Sequence, residues 1–181
     1  ITVLIASVTY VYIGLILLYR ILSKWFNKLT SLLTVLAFYF ATNLFYYTLV
    51  VPGYTHSYSF FVLTLFIFLL DKFLTKPNLL NSLFCGLTLG LAVLMRPTSI
   101  FYAFLFLLYG VNSIDLLKKR IFWIIKNLKY FIIIFIFMLI AFIPQMLYWH
   151  AVTGNYIVYS YKYSYGQEEH FIYWKNPKIG L

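Results

Sequence analysis

Three clusters in this chain combine side chains able to meet a phosphate or a sugar. The first is Leu94-Met95-Arg96-Pro97-Thr98-Ser99. Proline is tolerated at the first helical position, where its missing N–H costs nothing. Arg96 then stands beside a helix N-terminus with free amides and the Thr98 and Ser99 hydroxyls, a combination that attracts a phosphate. An arginine inside a bilayer costs roughly 2.5–3.5 kcal/mol on the insertion scale, so it either serves a function or snorkels to water.

The second cluster is Pro52-Gly53-Tyr54-Thr55-His56-Ser57-Tyr58. Pro and Gly end one helix, and Ser57 or Thr55 is expected to cap the next. His56 and Tyr58 are candidate substrate contacts; an interfacial aromatic belt explains the same residues without a ligand. The third runs from Thr153-Gly154-Asn155-Tyr156 through Tyr161 to Glu168-Glu169-His170. Aromatic faces beside carboxylates suit a sugar ring and its hydroxyls. Glu168, Glu169 and His170 offer ligands for a divalent metal, but adjacent residues rarely coordinate together, so no metal ligand is assigned. Cys85 is the single cysteine, which leaves neither a disulfide framework nor a thiolate metal site.

These clusters must be positioned by elements of an unusual composition. Hydrophobic residues make up 64% of the 181 residues and charged ones 10%, against about 25% charged in soluble domains. A globule of that size cannot hide so much apolar surface, and lipid resolves the conflict. The fold class expected is all-α, a polytopic transmembrane bundle of about six spans, at 1–19, 29–51, 57–70, 79–95, 97–112 and 130–149. Residues 150–181 form an aromatic and acidic segment beyond them. The stretch Leu79–Asn112 would be about 51 Å long as one helix, too much for one crossing and scarcely enough for two. A sharp break is therefore expected at Arg96-Pro97.

The connections alternate in charge. Arg20, Lys24, Lys28, Lys72, Lys76, Lys118, Lys119, Arg120, Lys126 and Lys129 fall on one side, ten of the 14 basic residues. The positive-inside rule puts that side in the cytoplasm. The three clusters then lie at the outer face of the cell membrane. The net charge of +10 is accounted for by loops at an anionic leaflet, without nucleic acid. The segment from Asn112 to Lys129 reads as a short amphipathic helix on the inner surface.

Taken in order, Gly-Tyr-Thr-His-Ser-Tyr-Ser-Phe-Phe at 53–61, Gly-Leu-Ala-Val-Leu-Met-Arg-Pro-Thr at 90–98 and Pro-Gln-Met-Leu-Tyr-Trp at 144–149 carry a resemblance. Thr-Gly-Asn-Tyr at 153–156 and Tyr-Gly-Gln-Glu-Glu-His-Phe at 165–171 extend it. The chain resembles the multi-pass membrane glycosyltransferases of the GT-C fold, the superfamily of protein mannosyltransferases and lipid A aminoarabinose transferases.

The resemblance implies transfer of a sugar from a polyprenyl-phosphate carrier to a glycan, lipid or protein acceptor at the outer face. It also implies a catalytic carboxylate in a first outer loop, which is expected ahead of Ile1 in a longer protein. Arg96 matches the family's Arg-Pro position, and His56, Tyr58, Tyr161 and Glu168 fall on motif positions without assigned roles. The alternative is a multi-pass transporter or lipid flippase for an anionic substrate, to which a broken helix and a membrane-level arginine are also suited.

Overall fold

The computed structural model describes residues 1–158, and every secondary-structure element among them is helical. Residues 1–140 form one compact unit, and a second begins at Ala141.

Within the first unit the order is α1 Thr2–Leu22, α2 Lys28–Ala41, α3 Leu44–Leu49, α4 Thr55–Thr75 and α5 Leu79–Met95. A 3-10 helix, Pro97–Phe104, runs directly into α6, Leu105–Leu108. Then come α7, Ile114–Lys126, and α8, Leu128–Ile140. Side chains start several of these helices by accepting an otherwise orphan amide. Asn27 accepts from Thr30 N–H at 2.8 Å, Asn78 from Asn81 N–H at 2.8 Å, and Ser113 from Leu116 N–H at 3.3 Å.

Among the described residues three stretches are long and apolar enough to cross a membrane: Thr2–Leu22, Thr55–Thr75 and Leu128–Thr153. Lys28–Ala41, Leu79–Met95 and Pro97–Leu108 are apolar but shorter. The exterior points to lipid as the solvent. In α8 only Ile134 is buried, although every residue from Phe131 to Ile140 is apolar. A helix apolar on all sides and largely uncovered by protein is stable in hydrocarbon, not in water.

The expected span 29–51 is divided at Thr42-Asn43 into α2 and α3. Thr42 is extended, and its hydroxyl donates to the Phe38 carbonyl at 2.7 Å while accepting from Leu44 N–H at 3.2 Å. A side chain that satisfies the backbone in this way offers an alternative to the helical ladder.

Packing sets the helix directions. Tyr10 of α1 meets Tyr58 and Phe61 of α4 at 5.5 and 5.1 Å between ring centres, and Lys24 just after α1 pairs with Asp71 late in α4. Contacts that advance together along both chains make α1 and α4 parallel. By contrast, α5 runs back along α4, because Arg96 at its end reaches His56 at the start of α4. The core lies between α4, α5, α6 and α8. Phe66, Leu70 and Phe73 occupy one helical face of α4 and meet Cys85, Leu89, Phe106 and Ile134. Phe73 presents its ring edge-on to Phe106, Trp123 and Phe131 at 5.5–5.9 Å, the arrangement favoured by the ring quadrupole.

Gly86 allows α5 and α8 to touch backbone to backbone. A Cβ there would strike the Ile134 carbonyl and stand 3.0 Å from Phe137 Cβ. Close approach over a small residue is how helices gain dispersion energy where lipid removes the hydrophobic drive between them.

The second unit is described through α9, Ile143–Thr153, with Pro144 in its first turn. It ends at Gly154, whose φ of 77° is the left-handed value that glycine adopts without strain. The His150 ring stacks on Tyr156 at 4.1 Å, and its Nδ1–H donates to the Gly154 carbonyl at 3.0 Å.

Candidate functional site

Two expected site residues, Arg96 and His56, come together at one end of the α4–α5 pair. At Met95 α5 stops because Pro97 forces its predecessor out of helical geometry; Arg96 is extended, with φ −147° and ψ 111°. Its N–H still donates to the Ala92 carbonyl at 3.0 Å, so the last turn of α5 holds the backbone while the side chain leaves the helix. His56 lies in the first turn of α4. One guanidinium nitrogen of Arg96, Nη2, is 2.6 Å from His56 Nδ1 and 3.3 Å from Nε2.

The direction of this bond follows from chemistry. A guanidinium has five donors and no acceptor. The nearer ring nitrogen, Nδ1, must therefore accept, which puts the imidazole proton on Nε2. Arg96 keeps its remaining N–H groups for another partner. Among the described residues the acids are Asp71 and Asp115, and the ion pair found is Lys24–Asp71. The half-buried Arg96 thus has no carboxylate partner among the described residues.

Tyr47 holds the imidazole from the other side, with its ring 3.9 Å from that of His56 and inclined by 16°. Tyr47 falls inside the apolar span expected at 29–51, where composition does not single it out. The available signal was its position four residues before Val51-Pro52, where an aromatic belt is expected. Tyr54 stands 6.2 Å from Tyr47 and 6.3 Å from His56, and its ring is exposed. Together they make an aromatic rim around a paired cation and imidazole.

Other expectations take a different form. Ser57 does not cap α4; the N-cap is Tyr54, without a side-chain bond. Ser57 is fully buried, and its hydroxyl donates to the Tyr47 carbonyl at 3.1 Å. That carbonyl is one of those left unpaired where α3 ends, so Ser57 ties α3 to α4 and fixes Tyr47 against His56. Tyr58 uses its hydroxyl on the Pro52 carbonyl at 3.2 Å and rests edge-on against Tyr10. It straps the turn that carries His56.

The helix after Arg96 also offers fewer amides than an α-helical start would. Pro97 has none, and Ser99 N–H donates back to the Arg96 carbonyl at 2.8 Å. Of the first three positions, Thr98 carries the amide left for a ligand. The anion-binding capacity of this end therefore rests on the Arg96 side chain.

Tyr161 and Glu168 lie outside the described residues, as does the Glu168-Glu169-His170 cluster. Among the described residues no group of three His, Cys, Asp or Glu side chains could hold a metal ion. No family model, curated protein or solved structure matches this chain.

Proposed function

We propose that this chain is a membrane glycosyltransferase of GT-C type, moving a sugar from a polyprenyl-phosphate donor to an acceptor at the outer face of the cytoplasmic membrane. The observation that carries the reading is the Arg96–His56 pair, a cation without a carboxylate partner among the described residues, set in an aromatic rim at one end of an apolar helix pair. On this reading the shorter apolar helices also cross, giving six spans, and the basic connections face the cytoplasm.

The chemistry follows from the donor. As the acceptor oxygen bonds to the sugar's anomeric carbon, the bond from that carbon to the phosphate oxygen breaks. The departing lipid phosphate gathers negative charge, and Arg96 meets it with the N–H groups not committed to His56. His56 and Tyr47 hold the guanidinium in place before the substrate arrives, so little reorganisation is required when charge develops. Beyond Arg96, the 3-10 helix exposes Phe101 and Phe104, whose stacked rings lie 6.3 Å apart; such a wall suits a polyprenyl tail. The acceptor's proton goes to the catalytic carboxylate that an enzyme of this class carries in a first outer loop, because neither described acid is placed to take it. Asp71 is tied to Lys24 at the far end of α4, about 22 Å along the helix from His56, and Asp115 begins α7.

The test is release of polyprenyl phosphate by the full-length protein in proteoliposomes containing polyprenyl-phosphate sugar and an acceptor lipid extract. Arg96→Ala should slow release by about 10²–10³-fold, the usual cost of losing one group that stabilises developing charge. An unchanged rate would leave Arg96 as a snorkelling residue. Passage of an anion across the bilayer without any cleavage of the donor would favour a transporter.

A further inference from the structure

The opposite end of the first unit holds a second polar group, which the sugar-transfer reading does not use. Asp71 pairs with Lys24 and accepts from Tyr109 Oη–H at 3.2 Å. Arg120 donates from Nη2 to the Tyr109 carbonyl at 3.2 Å, and its guanidinium carbon lies 5.8 Å from the centre of the Trp123 ring. Gly110, with φ 71°, turns the chain between α6 and α7. Between this turn and α7 opens a cavity of about 270 Å³, walled by Leu74, Gly110, Val111 and Trp123 and charged by Lys119 and Arg120.

The charge of this hollow is not compensated locally. Asp71 is matched by Lys24, and Asp115, in the first turn of α7, is not part of the lining. Among the described residues neither Lys119 nor Arg120 has a carboxylate partner. Arg120 gives one nitrogen to a backbone carbonyl and keeps a fork of donors; Lys119 adds a compact point charge. That pairing fits a phosphate oxyanion.

The helix that supplies both cations also exposes large apolar side chains next to them. Leu116 and Phe122, one turn on either side of Lys119, are 40% and 71% exposed, and none of the α7 residues is buried. A soluble anion would satisfy the cations and leave these side chains in water. An anionic phospholipid satisfies both, with its phosphate in the hollow and its acyl chains beside the apolar residues.

We propose that Lys119 and Arg120 bind the headgroup phosphate of an anionic phospholipid in the leaflet where α7 lies. This site is independent of Arg96 and of the sugar donor. It anchors the turn at Gly110, and with it the Tyr109–Asp71 contact, to the membrane surface.

The experiment is native mass spectrometry of the detergent-solubilised protein titrated with phosphatidylglycerol or phosphatidylcholine. Phosphatidylglycerol should be retained about tenfold more strongly, and Lys119→Glu should weaken that retention by about tenfold. The side chain of Lys119 makes no hydrogen bond among the described residues, so the fold does not depend on it. Lys28→Glu, an equal charge change at the exposed first residue of α2, should leave retention unchanged. Equal losses in both variants would overturn the site in favour of diffuse attraction. Displacement of the lipid by millimolar inorganic phosphate would overturn the lipid as occupant and leave a site for a free anion.

Discussion

Arg96 donates to His56 Nδ1 at 2.6 Å, although the two residues are 40 positions apart and belong to different helices. The bond links a helix C-terminus to a helix N-terminus, so it holds the α4–α5 pair in register at the end where the candidate chemistry lies. Truncating Arg96 should still affect the catalytic step more than the fold, because Phe66, Leu70 and Phe73 of α4 remain packed on Cys85 and Leu89 of α5. Arg96→Lys should retain part of the sugar-transfer rate, because a point charge still meets a phosphate but loses the bidentate fork. Full activity in both the lysine and alanine variants, measured by released polyprenyl phosphate, would sink the assignment.

His56 should act through Arg96. In a double-mutant cycle with His56→Ala and Arg96→Ala, the two losses in transfer rate should not add. The expected coupling is about 0.5–3 kcal/mol, as for residues in direct contact. Additive losses would mean that His56 serves the substrate on its own account.

The orientation can be checked by thiol labelling, since the native Cys85 is fully buried and silent. A cysteine at Thr55 or Asn155 should react with a membrane-impermeant reagent in intact cells, and one at Asn112 should not. The motive is the alternation of charge along the sequence, by which ten of the 14 basic residues are expected on one side. The reverse pattern would move the Arg96 end to the cytoplasm.

Two glycines should respond differently to alanine. At Gly86 the new Cβ meets the Ile134 carbonyl, and α5 and α8 must separate. A loss of about 1–3 kcal/mol is expected from such overpacking, visible as a lower thermal midpoint in detergent. At Gly53 nothing lies within 4 Å of an added Cβ, and the midpoint should stay where it is. Equal behaviour of the two variants would argue against the tight α5–α8 seam.

The apolar helices were the legible part of the fold. Their hydrophobic content is a local property, read from any window of sufficient length. The end of α5 was legible for a related reason: proline acts on its immediate predecessor, so Arg96-Pro97 marks a boundary without tertiary information. The division at Thr42-Asn43 escaped because a window dominated by Leu, Phe and Tyr averages over one hydroxyl that leaves the helical ladder.

At the candidate site, the sequence pointed to Arg96, His56 and Tyr58 by residue type but not to their relationship. Which ring stacks on His56, and that Tyr58 spends its hydroxyl on Pro52, depend on how α3, α4 and α5 pack. That is settled by contacts far apart in the chain. In the sequence Lys119 and Arg120 are two of ten basic residues assigned to one side, and the turn at Gly110 makes them part of the lining of one hollow.

The 3-10 winding of Pro97–Phe104 has a consequence for length. The chain is tied to α4 twice, at His56 through Arg96 and at Asp71 through Tyr109. Along α4 those anchor points are about 22 Å apart. The return path from Arg96 to Tyr109 has fewer residues, and as a continuous α-helix it would reach only about 19 Å. With eight residues advancing about 2 Å each, the same path reaches about 23 Å. The tighter coil thus works as a spacer that makes a short strut fit a longer post. Lengthening the segment by two residues would allow ordinary α-helical winding between the same anchors, whereas removing one would detach Tyr109 or Arg96 from its partner.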